Sequence, residues 1–245
     1  MISLVGLGVA YDITEQGMEA LRECDAAFCE VHTMPVPREY VEKLETEGGK
    51  KIEIIGREEV EGNFLIERAK EGDVCLLCGG DPLAATTHIS LLVDARKAGV
   101  GAKVVHNSSV FSAAAGKSGL QPYKFGKTVT VSFWRENYRP TSPLLLIEKN
   151  LEAGMHTLVL MDLDKELGLM DAKLGLELLG KMEEKEGRKV LPEKLVVLSR
   201  VGYPDEKISW GNAGELPERE LGKAPFCIVA PAGLHEVEKE YLESL

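Results

Sequence analysis

Short apolar runs alternate with amphipathic stretches along most of this chain. Residues 2–5, 26–29, 51–55 and 103–106 read as strands, and Val74–Cys78 is the clearest, Val-Cys-Leu-Leu-Cys with no polar interruption. Such a run predicts a strand buried on both faces, as in a parallel sheet with helices on either side. A helix is predicted from near Thr14, with Asp12 and Thr14 as possible caps, and further helices over residues 37–47, 57–61 and 63–71. Gly48-Gly49 and Gly72-Asp73 stop two of them. Strand and helix in alternation predict an α/β fold.

The stretch after Val74–Cys78 organises this half of the chain. Gly79 and Gly80 lack a Cβ, so both can take positive φ and let a ligand approach the backbone. Asp81 suits a helix N-cap and Pro82 the first helical position, which predicts a helix over about residues 83–97 with Gly99 past its end. In open α/β sheets ligands bind at such turns, at the carboxyl ends of strands. A plain βα turn carries the same signature, so spacing alone leaves both readings open. Gly6-Leu7-Gly8 also follows a strand, but Tyr11 stands at the third glycine position of a dinucleotide fingerprint. The next helix also starts too late to receive a pyrophosphate, and NAD is rejected as a ligand.

Asn107-Ser108-Ser109 is a polar turn leading into a helix of small residues, and residues 128–133 read as a strand. The stretch at 134–143 contains two prolines and mixed charges. It is read as a linker over 135–143, which predicts one domain over 1–134 and a second over 144–245. In the second half helices are predicted over 144–151, 171–186 and 234–242, and strands over 157–161, 195–199 and 226–230. Gly211-Asn212 signals a hairpin near Ile208 and Trp210, so the second unit is expected to contain some antiparallel pairing.

Composition narrows the function. The net charge of −11 over 245 residues argues against a general nucleic-acid binder, which should be basic. No apolar window is long enough for a transmembrane helix, and no signal peptide is read at the start. The five cysteines suggest reduced thiols. Cys75 and Cys78 sit in one predicted strand and point to opposite faces, with no second pair, so no metal site is expected. The five histidines are scattered, and only His88 stands beside the central turn. No Walker loop, nucleophile elbow or His-Glu-x-x-His is present. A reaction that mainly needs positioning fits this poverty, and methyl transfer from the activated sulfonium of S-adenosylmethionine is one.

Gly6-Leu7-Gly8 with Tyr11-Asp12-Ile13-Thr14, then Asn63-Phe64, then Gly80-Asp81-Pro82-Leu83-Ala84-Ala85-Thr86-Thr87-His88 resemble the diphthine synthases. So do Gly119-Leu120-Gln121-Pro122-Tyr123-Lys124-Phe125-Gly126-Lys127 and His156-Thr157-Leu158. The resemblance runs nearly end to end. The Ala-Thr-Thr-His and Tyr-Lys-Phe-Gly-Lys segments are specific to it, while the Gly-Asp-Pro turn is shared with the wider tetrapyrrole-methylase-like class. The compact chain is similar to the archaeal form.

The resemblance implies two α/β domains of the tetrapyrrole methylase type, with S-adenosylmethionine in the cleft between them. It implies a cytoplasmic homodimer that methylates the amino group of a modified histidine on translation elongation factor 2, a step of diphthamide biosynthesis. It implies neither a membrane nor a nucleic-acid partner, and it names no catalytic residue. Carried over position by position, the cofactor contacts are Val9, Asp81, Ala84, Ser109, Val110, Met161, Val201 and Phe226. Phe226 departs from the family, where a histidine is not unusual, and Asn107-Ser108 departs from an Ala-Pro-like pair. The rival expectations are a methyltransferase of the same architecture acting on a tetrapyrrole or RNA, and a non-catalytic sensor of S-adenosylmethionine. A tetrapyrrole polyanion would call for an arginine cluster near the turn loops, which is absent from the sequence there.

Overall fold

A computed structural model describes residues 1–245. The chain divides into two compact units, Met1–Ser109 and Val110–Leu245.

In the first unit β1 (Ile2–Gly6), β2 (Ala26–Glu30), β3 (Ile52–Ile55), β4 (Val74–Cys78) and β5 (Ala102–Val105) form a five-stranded sheet in the order β3-β2-β4-β1-β5. Every pairing in it is parallel. Helices α1 (Glu15–Glu23) and α2 (Arg38–Gly48) pack Met18, Leu21, Val41 and Leu44 on one face, against Val5, Cys75 and Leu77. Helices α3 (Arg57–Glu61), α4 (Phe64–Glu71) and α5 (Ile89–Lys97) pack Val60, Leu65, Ile66 and Leu91 on the other, against Leu4, Phe28, Leu76 and Cys78. Each leucine buried this way contributes about 1.5–3 kcal/mol. Cys75 and Cys78 thus face opposite layers, as the strand period requires. Burial pushes the Cys29 thiol up to about 12, which keeps it protonated and unreactive.

The Thr14 side chain accepts from the Gly17 N–H and starts α1. The helix expected from residue 83 begins only at Ile89. The carbonyl of Pro82, which a helix would give to a backbone N–H one turn on, is taken by side chains. The Thr86 hydroxyl donates to it at 2.6 Å, and His88 Nδ1 lies 2.8 Å from it. Ala85 at φ +58° completes the break. Asp81 caps a turn instead, accepting from the Leu83 N–H at 2.9 Å.

In the second unit β6 (Val129–Val131), β7 (Thr157–Met161), β10 (Lys194–Ser199), β11 (Lys207–Asn212) and β12 (Phe226–Ala230) form a sheet in the order β11-β10-β12-β7-β6. Only β6 and β7 are parallel; the other pairs are antiparallel. Helices α7 (Ser142–Glu152) and α8 (Ala172–Glu186) cover one face, and α6 (Val110–Lys117) and α9 (Glu236–Glu243) the other. A small hairpin of β8 (Leu163–Asp164) and β9 (Gly168–Leu169) follows β7.

Two expectations for this half differ from the fold. The division falls after Ser109, whereas the sequence placed a linker over 135–143. Pairing of β6 with β7 puts Val129–Val131 in the second sheet, and residues 110–134 belong to the second unit. Arg135 and Tyr138 exchange backbone hydrogen bonds, and α7 already starts at Ser142. Gly211-Asn212 is not a turn but the end of β11, opposite Leu195 and Lys194. The reversal is at residues 200–206, where Arg200 has φ +51° and Gly202 φ +85°. No helix is long and apolar enough to cross a membrane.

Candidate active site

In the first sheet β1 and β4 are neighbours, but their connections leave in opposite directions, β1 to β2 past β4 and β4 to β5 past β1. That is a topological switch point, where a crevice opens beyond the carboxyl ends of the strands. Gly8 and Gly80 meet there. The Gly8 N–H donates to the Gly80 carbonyl at 3.0 Å, and the Gly80 N–H donates back at 3.1 Å. Both have positive φ, +72° and +67°, which explains the glycines. Gly79 is required for a different reason: a Cβ on it would lie 2.6 Å from Cβ of Met34.

Asp81 is fixed from several sides. Its Oδ1 accepts from Leu83, and its Oδ2 accepts from the Asn107 N–H at 3.2 Å and lies 2.8 Å from His106 Nδ1. The Asn107 amide donates to the carbonyls of Gly6 and Asp12 at 2.9 and 2.7 Å. The Val9 N–H donates to the Ser108 hydroxyl at 3.1 Å. The loops after β1, β4 and β5 are therefore cross-tied through Val9, Asp81, Asn107 and Ser108. Ala84 lies in the turn that Asp81 caps, and Ser109 ends the polar run. His106, Asn107 and Ser108 were not chosen as site residues from sequence; the polar run after a strand was the available signal.

In the second unit the register brings three of the carried-over positions to one sheet edge. Ser199 pairs with Phe226 and Leu160 with Cys227, so the ends of β7 and β10 and the start of β12 adjoin. The Arg200 N–H donates to the Pro225 carbonyl at 2.8 Å, which ties the Val201 turn to that edge. Met161 and Phe226 pack into the core under α8, while Val201 and Val110 pack on the opposite layer. The side chains of these residues are therefore divided between two faces, and what they share is the backbone edge.

The non-glycine residues with positive φ are Tyr11, Ala85 and Arg200, each in one of these loops. Such a conformation costs about 1–2 kcal/mol per residue, and strain of this kind gathers at ligand sites.

The model of the tetrapyrrole (corrin/porphyrin) methylases matches residues 1–217. A curated diphthine synthase from Methanothermobacter thermautotrophicus is 40% identical, over 99% of this chain and 94% of its own length. A solved diphthine synthase superposes with a TM-score of 0.89 at 32% identity, covering 99% of this chain and 94% of that one. A crystal structure from Entamoeba histolytica gives a TM-score of 0.90 at 37% identity, over 100% of this chain and 97% of that one. The chain belongs to the diphthine synthase family. It is a methyltransferase with the two-domain α/β fold of the tetrapyrrole methylases.

The Tyr-Lys-Phe-Gly-Lys and His-Thr-Leu segments make structural contacts in the second unit. Lys124 donates to the Glu238 carboxylate at 2.6 Å, and His156 Nε2 lies 3.2 Å from its other oxygen. His156 Nδ1 accepts from the Ala232 N–H at 2.9 Å, so the proton is on Nε2. Phe125 meets the His156 ring edge-on. A Cβ on Gly126 would lie 2.4 Å from Oδ1 of Asn150. Burial raises the Glu238 carboxyl, but Lys124, the Gln121 and His235 N–H groups and His156 outweigh it and hold it at about 2. These segments thereby lock β7 and α9 together.

Another cluster has no counterpart in the sequence reading. Glu30, His32 and His88 meet at the end of β2, with Glu30 and His88 at 0% and 1% exposure. Burial raises the Glu30 carboxyl, but His32 and Thr33 outweigh it and keep it below the usual range. Burial lowers the His88 imidazole, which favours its neutral form.

Proposed function

We propose that this methyltransferase uses S-adenosylmethionine to methylate the amino group of 2-(3-amino-3-carboxypropyl)histidine on translation elongation factor 2. The observation that carries the reading is the Gly8–Gly80 pair beside the fixed Asp81, at the switch point of a parallel sheet. Bare backbone next to an immobilised carboxylate suits a ligand with amino, hydroxyl and ammonium donors, which S-adenosylmethionine has. Val9, Asp81, Ala84, Ser109, Val110, Met161, Val201 and Phe226 are proposed as its contacts. Phe226 buries its side chain and the half-buried Met161 packs against the same core, so their contribution is through backbone groups. We further propose a cytoplasmic homodimer.

In the reaction the amine lone pair attacks the methyl carbon and the carbon–sulfur bond breaks. Sulfur keeps the electron pair, and S-adenosylhomocysteine leaves. The new ammonium loses a proton to water before the next transfer. The protein supplies proximity and alignment, so no dedicated base is required.

The test is a turnover assay with methyl-labelled donor and elongation factor carrying the unmethylated modified histidine. Label on that factor, and none on a factor with the unmodified histidine, supports the reading. Label on a tetrapyrrole or RNA instead, or binding without transfer, overturns it. Arg200, the arginine in the proposed contact loops, is paired with Asp205 at 2.6 Å, which counts against a tetrapyrrole polycarboxylate.

A further inference from the structure

Glu30 ends β2 with a carboxylate sealed from solvent, and two imidazoles face it. His88 Nδ1 lies 2.8 Å from the Pro82 carbonyl, so that nitrogen carries the proton and donates. Its Nε2 is left as a bare lone pair. That atom is buried with no hydrogen-bond partner, 4.0 Å from Glu30 Oε1. Neither ring nitrogen of His32 has a hydrogen-bond partner, although Nδ1 is 2.9 Å from Glu30 Oε2; the ring is close but not aligned to donate. One donor atom from each of the three residues lies within 4.8 Å of the others.

We propose that Glu30, His32 and His88 form a site for a divalent transition-metal ion, zinc in the first instance. Two imidazole nitrogens and a carboxylate oxygen are a zinc donor set, with the fourth position left for water. Hard cations such as calcium and magnesium take oxygen donors and would not use the imidazoles. The surrounding bonds are those a metal site needs. The Pro82 carbonyl fixes the tautomer and plane of His88. The N–H groups of His32 and Thr33 donate to Glu30 Oε2 at 2.9 and 3.0 Å, and the Thr33 hydroxyl donates to Oε1. Bond lengths of about 2.0–2.2 Å would draw tetrahedral donor atoms to about 3.3 Å apart. Rotation of His32, whose ring nitrogens hold no hydrogen bond, brings its nitrogen to that spacing, and His88 Nε2 and Glu30 Oε1, now 4.0 Å apart, close by a few tenths of an ångström on binding. A dication also answers the buried negative charge of Glu30.

The ion's role is structural. It ties the end of β2 to the turn at residues 82–88, which has no helical ladder of its own, and it stands whether or not the methyl-transfer reading does. The alternative occupant is a bridging water, which needs only two to four polar partners.

The experiment uses the full chain without a histidine tag, stripped with chelator, dialysed against zinc and assayed for metal by mass spectrometry. A parallel sample takes cobalt(II) for absorption spectroscopy. The expected result is one zinc retained per chain, intense visible cobalt bands of a tetrahedral site, and a thermal midpoint that rises with zinc. His88→Ala and His32→Phe should each weaken zinc binding at least tenfold and abolish the bands. A wild-type chain showing only hydrated cobalt and no retained zinc overturns the proposal without any variant. Zinc uptake that survives His88→Ala also overturns it, since the ion then sits elsewhere.

Discussion

His106 Nδ1 lies 2.8 Å from Oδ2 of Asp81, joining a ring that is 67% exposed to a carboxylate that is 11% exposed. Burial alone would raise the Asp81 carboxyl. The Leu83 N–H, the His106 ring and the Asn107 N–H outweigh it and hold it below its usual range. The group is thus ionised throughout neutral pH. Its contribution to stability is present above the unfolded carboxyl value and is lost as pH falls through the lower folded one.

Asp81→Ala should weaken binding of S-adenosylhomocysteine at least tenfold, about 1.4 kcal/mol. Asp81→Asn, which keeps an oxygen for the Leu83 N–H, should fall between it and wild type. Titration calorimetry checks both. Wild-type affinity in Asp81→Ala, with the fold intact, would remove Asp81 from the proposed contacts.

Asn107 bridges the carbonyls of Gly6 and Asp12 with one amide group. Asn107→Ala leaves both without that donor and should destabilise the chain by about 1–3 kcal/mol. Asn107→Asp should be worse at neutral pH, because it sets a carboxylate against two carbonyl oxygens. Urea unfolding at pH 7 orders the variants, and an Asp variant more stable than the Ala variant would refute the bridge.

Glu238 titrates at about 2 in the folded chain, against about 4.3 for an unfolded glutamate. Its stabilisation is therefore full above about pH 4.3 and fades as pH falls towards 2. His156, lowered chiefly by burial, acts in the same direction, since its neutral form is the one folded. Glu238→Gln should cost about 3 kcal/mol at pH 7, and the gap to wild type should close on acidification. Unfolding curves at a series of pH values test this; a gap independent of pH would mean that charge is not what Glu238 contributes.

What sequence could reveal follows the range of the interactions. Val74–Cys78 was legible because an uninterrupted apolar run has one solution, a strand covered on both sides. Thr14 and Asp171 were legible as helix starts because a cap acts within its own turn. The late start of α5 was not, because two side chains, Thr86 and His88, take a carbonyl that propensity assigns to the helix. Gly211-Asn212 reads as a turn locally, yet pairing with β10 holds it in a strand. The place of β6 depends on a partner that follows α7. In the candidate site the Gly-Asp-Pro turn was visible as punctuation. Its anchors were not, since nothing beside His106 in sequence names Asp81, and nothing beside Glu30 names His88.

The remaining prediction concerns how many methyl groups are added. The acceptor is an aliphatic amine with a free pKa near that of an α-amino group, about 8. A useful fraction is neutral at pH 7, and water can take the proton released. Each transfer leaves an amine that can lose a proton and attack again, until the trimethylammonium has no lone pair. Esterifying the neighbouring carboxylate would require a second pose, with an oxygen turned towards the sulfonium after the amine is exhausted. The expected end point is three methyl groups on nitrogen and none on oxygen, from three donors per acceptor. Intact-mass measurement of the reacted elongation factor decides it. A plateau at three added methyls that mild alkali does not change is the expected result, and a fourth that alkali removes would show that the site also presents the carboxylate.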